Sequence, residues 1–208
     1  MNTFLVQSIN RHRLVTDGEG VTSLIGLKGC PLRCKYCINM DILSKEKQVE
    51  MTPEQLLSRV MIDYCYFLAT GGGVTFGGGE SLLYADAIMD FIKLCPVGLS
   101  TNVETSLNVS LSEEVLRKLG ESVCQFIIDI KTWDDALYES YTGVSGERMK
   151  TNLLKIRDLG FQSKCTVRIP VIPKLKTKEQ ALEEEKLIRS LGFEKVSVFS
   201  YVIRDYME

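Results

Sequence analysis

Three of the chain's seven cysteines fall within eight residues, as Cys30-Pro31-Leu32-Arg33-Cys34-Lys35-Tyr36-Cys37, a C-x3-C-x2-C spacing. Thiolate sulfur is a soft donor that selects zinc, copper(I) or iron–sulfur clusters. Structural zinc takes four ligands, and the fourth would have to come from a remote Cys65, Cys95, Cys124 or Cys165. Those four stand singly in apolar segments, where free cysteine behaves as a small hydrophobe, so they read as core thiols. The spacing is not that of a zinc ribbon, and the run lacks the fourth cysteine of a ferredoxin. Three donors on one loop instead suit three corners of a four-iron cluster. Its fourth iron then keeps an open position, where a reacting molecule can bind. The single histidine, His12, excludes multi-histidine metal sites.

Two other groups carry chemistry. The run Thr70–Glu80 ends in Gly77-Gly78-Gly79-Glu80, and consecutive glycines let a ligand approach the backbone closely. A tight turn before a helix explains such glycines equally well, and a phosphate loop is disfavoured because no Lys-Ser/Thr follows. Asp129 and Lys131 flank Ile130 and share one face of an extended segment. Opposite charges at the end of a buried strand can hold a zwitterion, or can pair with each other and with neighbouring loops.

The elements that must position these groups alternate regularly. Residues 3–8 read as a short strand leading to a turn at Asp17–Gly20. From Val21 onward six strands (21–27, 72–76, 97–103, 123–130, 165–169 and 195–201) alternate with helical segments, each connection long enough for a parallel crossover. A helix over 52–69 opens with Thr52-Pro53-Glu54, a hydroxyl cap, proline at the first position and an acid in the first turn. Others follow at 83–94, 112–119, 135–141, 149–159 and 177–191; a polar, Lys-rich connection fills the space between Cys37 and Thr52. Apolar runs such as Phe126-Ile127-Ile128 suit strands buried on both faces. The options are an open doubly wound sheet or a barrel. The preferred reading is α/β, a partial (β/α)6 TIM-like barrel of parallel strands with outer helices, because a full eight-unit barrel takes about 250 residues. One domain over 1–208 is expected. In parallel α/β folds the site lies at the carboxyl ends of the strands. There fall Cys30–Cys37, Gly77–Glu80, Glu104-Thr105-Ser106, Asp129–Lys131, Arg168 and Tyr201.

Composition narrows the classes. A formal charge of −2 gives no basic footprint for nucleic acid. An odd number of cysteines and no long apolar leader argue against a secreted disulfide framework and for a reducing cytosol. No apolar run approaches the roughly 18 residues that a membrane span needs.

In their order along residues 15–200, these motifs resemble those of the radical S-adenosylmethionine (SAM) superfamily, and within it the activases of glycyl radical enzymes. The matching stretches are Asp17–Gly20, Gly29–Asn39, Gly71–Glu80, Glu104–Ser106, Asp129–Lys131, Tyr141-Thr142-Gly143-Val144 and Val167–Pro173. The resemblance implies that Cys30, Cys34 and Cys37 ligate a [4Fe-4S] cluster whose open iron chelates SAM. It implies adenosyl contacts from Tyr36 and Asn39. Gly78, Gly79 and Glu80 would meet the methionine end, with Thr105, Asp129, Lys131 and Arg168 completing the cofactor pocket. Glu104 and Asp129 would form a monovalent-cation site. The implied reaction is reductive SAM cleavage to a 5′-deoxyadenosyl radical that takes a hydrogen atom from a glycyl radical enzyme. Modification of a small molecule or ribosomal peptide is the alternative. Lys28, Arg33 and Lys35 surround the cluster loop with Lys45 and Lys47 close behind, which is either a docking patch for an acidic flavodoxin or ferredoxin as electron donor or a solvated surface. The chain departs from the family pattern at Glu19 (for proline), Thr22 (for arginine), Gly77 (for serine), Ser81 (for proline) and Tyr201 (for histidine).

Overall fold

A computed structural model describes residues 2–14, 16–44 and 47–201. Its centre is one eight-stranded sheet: β1 (Phe4–Leu14), β2 (Val21–Leu27), β3 (Val49–Met51), β4 (Gly73–Gly78), β5 (Ser100–Thr105), β6 (Gln125–Asp129), β7 (Cys165–Val171) and β8 (Lys195–Ser200). The spatial order is β3-β1-β2-β4-β5-β6-β7-β8. From β2 to β8 every neighbouring pair is parallel. These are the six strands expected from Val21, and β1 and β3 extend the sheet in antiparallel pairing. The architecture is an unclosed, partial (β/α)6 barrel.

The helices are α1 (Met40–Ser44), α2 (Pro53–Val60), α3 (Tyr64–Thr70), α4 (Ala85–Leu94), α5 (Glu113–Ser122), α6 (Asp135–Thr142), α7 (Glu147–Asp158) and α8 (Lys178–Ser190). Period-two alternation in the strands divides their side chains between two environments. Val74, Phe76, Val103, Phe126, Ile128, Val167 and Ile169 are fully buried against the helical layer. The intervening residues Thr75, Asn102, Glu104, Asp129 and Arg168 point together on the other face, linked by Asn102–Thr75, Arg168–Glu104 and Arg168–Asp129 contacts. The concave side is therefore polar, and the apolar core lies outside it.

Three expectations change. The helix over 52–69 is two helices separated by a 3-10 turn at Met61–Asp63. Asp63 is fully buried there and accepts hydrogen bonds from Arg11 Nε (2.7 Å), Arg11 Nη2 (2.5 Å) and His12 Nε2 (3.0 Å). Those partners lie on β1, which runs well past the expected residue 8. The polar connection after Cys37 contains α1 and the edge strand β3, whose Glu50 accepts from Thr3. The cap signals hold: Thr52 and Gln55 form a reciprocal capping box, as do Thr177 and Gln180. Among the described residues no helix is long and apolar enough to cross a membrane.

Candidate active site

β2 delivers the chain to the cysteine loop, and two distant elements brace that loop from opposite sides. On one side Gly79 N donates to Leu27 O (3.0 Å), Glu80 N to Gly29 O (2.8 Å) and Asn39 Nδ2 to Gly78 O (2.7 Å). A Cβ at Gly79 would collide with the Gly29 carbonyl, so only glycine permits this approach. On the other side Arg33 N donates to Thr142 O (2.7 Å) and Lys35 N to Tyr141 O (3.0 Å). The Tyr-Thr-Gly-Val stretch of the sequence is thus the second brace. Leu32 is buried and pins the loop's middle, and Tyr201 Oη donates to Tyr36 O.

All seven cysteines are free thiols. Cys30, Cys34 and Cys37 are partly buried on the braced loop, with Cys30 and Cys34 packed against the core. Burial pushes the Cys30 thiol up to about 11; it also raises Cys34, against the pull of Lys131. Bound metal reverses that preference, because a coordinating thiol is deprotonated outright. Among the described residues no three Cys, His, Asp or Glu side chains converge on a point fit for one ion. The donor set suits a four-iron cluster, which takes one thiolate at each of three separate irons. The reading of the other cysteines needs correction: Cys165 is a core residue and Cys95 is partly buried, but Cys65 and Cys124 are exposed. Cys65 lies on the outer side of the short α3, and Cys124 sits just ahead of β6 where the sheet ends.

Glu80 is buried and its carboxylate is fully engaged. Oε1 accepts from Thr105 Oγ1 (2.6 Å) and Leu82 N (3.1 Å), and Oε2 accepts from Ser106 N (2.9 Å) and Ser106 Oγ (2.6 Å). It buckles the end of β4 to the end of β5. Next to it Glu104 reaches over Gly77, where a Cβ would stand 2.6 Å from the Glu104 carboxylate. Arg168 bridges the two acids, with Nη1 3.0 Å from Glu104 Oε1 and Nε 2.7 Å from Asp129 Oδ1. Lys131 Nζ lies 3.3 Å from Asp129 Oδ2. Burial pushes the Glu104 carboxyl up to about 7, with Arg168 opposing. Burial would also raise Asp129, but Lys131 and Arg168 beside it hold it below the usual range. Burial would lower Lys131, and the Asp129 carboxylate lifts it instead. The result is a balanced quartet of two acids and two bases at the strand ends beside the cysteine loop.

A three-thiolate loop packed against a glycine-ended strand and a charged quartet is what the family comparison then explains. The model of the radical SAM superfamily matches residues 24–185. The chain belongs to that superfamily. It is 34% identical over 201 residues to the pyruvate formate-lyase-activating enzyme of Clostridium pasteurianum, covering 94% of this chain and 81% of the relative. It is also 34% identical over 134 residues to the pyruvate formate-lyase 1-activating enzyme of Escherichia coli K12, covering 64% of this chain and 54% of that protein. This radical SAM protein therefore falls in the glycyl-radical-enzyme activating branch. A structure of Streptococcus suis SuiB bound to S-adenosylmethionine superposes with a TM-score of 0.66 over 85% of this chain and 39% of its own, at 18% identity, and shares the fold.

The fold brings Cys30, Cys34, Cys37, Tyr36, Asn39, Gly78, Gly79, Glu80, Glu104, Thr105, Asp129, Lys131 and Arg168 to one end of the radical SAM sheet. Two residues that sequence reading missed, Lys176 and Glu184, sit behind the Lys131 loop. Glu184 is one of many charges in an amphipathic helix and Lys176 stands just before its cap, so no pattern marks either.

Proposed function

We propose that this protein is a single-domain radical SAM activase, working in a reducing cytosol, that installs a glycyl radical on a partner enzyme. The observation that carries the reading is the cysteine loop held between Gly78–Glu80 and Tyr141–Thr142, with Asp129, Lys131 and Arg168 next to it. Cys30, Cys34 and Cys37 would hold the [4Fe-4S] cluster. Cluster and SAM together supply a reducible sulfonium and, from it, a carbon radical able to take a hydrogen atom. The chain's own residues bind and orient. Lys131 and Asp129 offer opposite charges to the carboxylate and ammonium of an amino-acid zwitterion. The side-chain-free backbone at Gly78 and Gly79, with the Gly78 carbonyl held by Asn39, gives that zwitterion a close approach, and Glu80 and Thr105 act by holding that edge in place. Tyr36, with its carbonyl tied to Tyr201, lines the adenosyl side.

In this reading Arg168 supplies the positive charge that a monovalent cation would bring between Glu104 and Asp129, since such a cation would have to displace the guanidinium from both carboxylates. The electron donor is a flavodoxin or ferredoxin approaching Lys28, Arg33, Lys35 and Lys47; Lys45 lies outside the described residues. The reading is tested by anaerobic cluster reconstitution, dithionite reduction and chromatography for 5′-deoxyadenosine. Turnover by the parent and none by Cys34→Ala is expected; a loaded parent that makes no product overturns it. Mixing with a glycyl radical enzyme and SAM then gives the doublet paramagnetic signal of a glycyl radical.

A further inference from the structure

Behind the strand end that carries Asp129 and Lys131 lies an ion pair between a buried lysine and a half-buried glutamate that touches neither the cysteine loop nor the glycine edge. Lys176 is buried, and its Nζ lies 2.7 Å from Glu184 Oε2 and donates to the backbone carbonyl of Lys131 at 2.7 Å. Glu184 Oε1 accepts from Thr132 Oγ1 (2.5 Å) and from Trp133 N (2.8 Å). Three consecutive residues, Lys131, Thr132 and Trp133, are thereby tied to one side-chain pair. The pair itself is fixed from two directions. Lys176 N donates to Ile172 O (2.8 Å), and α8, which carries Glu184, starts at the Thr177–Gln180 capping box immediately after Lys176. Thr132 is buried, and its Oγ1 also accepts from Asp134 N (3.3 Å), the cap residue of α6. That helix holds the far side of the cysteine loop through Tyr141 and Thr142.

A buried ion pair is a poor way to gain stability, because the cost of desolvating both charges offsets their attraction. A buried lysine and a half-buried glutamate that spend their remaining hydrogen bonds on three successive loop residues are better explained by what they fix in place. We infer that Lys176 and Glu184 are positioning residues that set the height and direction of the Lys131 side chain and so tune the affinity for SAM. This rests on the reading of Lys131 as a SAM-holding group.

The test is a double-mutant cycle on SAM affinity, measured by equilibrium titration of cluster-reconstituted protein and normalised to iron content, so that a misfolded fraction does not enter the dissociation constant. The clamp variant Lys176→Met with Glu184→Met replaces the pair by apolar side chains, a change often neutral for folding. It is expected to bind SAM about tenfold more weakly, the size of losing one charge-assisted hydrogen bond. In a Lys131→Met background the same clamp change is expected to have no further effect, because the group being positioned is gone. An unchanged dissociation constant, or a clamp loss that adds in full to the Lys131→Met loss, overturns the inference. If the clamp variant fails to fold, Lys176→Met alone, which removes the tie to the Lys131 carbonyl and leaves Glu184 with Thr132 and Trp133, is measured by the same two criteria. A parent protein that does not bind SAM overturns the functional proposal and this inference together. A parent that binds, beside a clamp variant that binds equally well, overturns the inference alone.

Discussion

Substitution of Gly79 by alanine tests the contact on which the site is built. The new Cβ would be driven into the Gly29 carbonyl and stand 2.8 Å from the Leu27 carbonyl. Both acceptors are backbone atoms of β2 and the loop it feeds, so no flexible side chain can yield. Relief requires moving the end of β4 away from β2, which stretches the Gly79–Leu27 and Glu80–Gly29 hydrogen bonds. Two backbone bonds at about 1 kcal/mol each, plus about 1–3 kcal/mol for overpacking, give a loss of about 3–5 kcal/mol. In a chain of this length that lowers the melting temperature by about 10 °C. Gly71→Ala is the matched control: its φ is +70° but a Cβ there meets nothing within 4 Å. Left-handed strain alone costs about 1–2 kcal/mol, or about 4 °C. Circular dichroism melts of the metal-free proteins give the stabilities. Iron content after anaerobic reconstitution reports the loop, which Gly79→Ala is expected to impair and Gly71→Ala to spare. A Gly79→Ala protein that melts with the parent and loads iron normally would falsify the bracing argument.

Two further outcomes concern a buried carboxylate far from the site and the basic rim of the cysteine loop. The Asp63 carboxyl is held below its ordinary range chiefly by the hydrogen bonds from Arg11, with burial opposing and His12 assisting. Its stabilisation is therefore complete above the unfolded carboxyl value of about 4 and is lost as pH falls through the lower folded value. The gap in melting temperature between parent and Asp63→Asn, measured on the metal-free chain, should stay constant from about pH 7 to pH 5 and narrow below about pH 4; a gap that persists to about pH 2 contradicts the assignment. At the cysteine loop, Lys28→Glu with Lys35→Glu should slow reduction by an acidic flavodoxin about tenfold at low salt, with the difference shrinking as ionic strength rises. Equal rates at all salt concentrations remove the docking patch.

The six parallel strands were legible because each carries an apolar run bounded by glycine, proline or a helix cap, and the polar residues at their ends pointed to one face. The break at Met61–Asp63 was not legible. Leu56, Leu57, Val60, Met61 and Tyr64 keep helical spacing straight through it, and the cause is a carboxylate pulled inward by Arg11 and His12 from a strand about fifty residues earlier. β3 escaped notice because its three residues carry little apolar signal and pair only with β1. Within the site, the cysteine spacing and the alternation of Asp129 and Lys131 could be read directly. The role of Glu80 could not, since nothing in a Gly-Gly-Glu sequence shows that Thr105 and Ser106 will supply its donors. The departure at Gly77 acquires a physical meaning from the fold: the missing side chain leaves the space that Glu104 occupies.

The bracing of the cysteine loop also makes the site dependent on the fold rather than the fold on the site. One brace lies on β4 and the other on α6, more than a hundred residues beyond the loop, and between them stand two parallel pairings, β4–β5 and β5–β6, with their crossover helices. The loop's shape therefore depends on the assembled sheet. In small metal-dependent domains the metal's binding energy is folding energy, and removing the metal unfolds the chain. Here the apolar layer formed by residues such as Phe76, Phe91, Phe126, Ile128 and Val167 is fully buried and packs without needing a metal at the cysteine loop. The metal-free chain is expected to melt cooperatively and to keep its far-ultraviolet spectrum when a chelator strips iron from the loaded protein. Cys30, Cys34 and Cys37 would then hold the cluster from a loop that the sheet and α6 already brace, and metal binding there would have to overcome the burial that raises the Cys30 and Cys34 thiols.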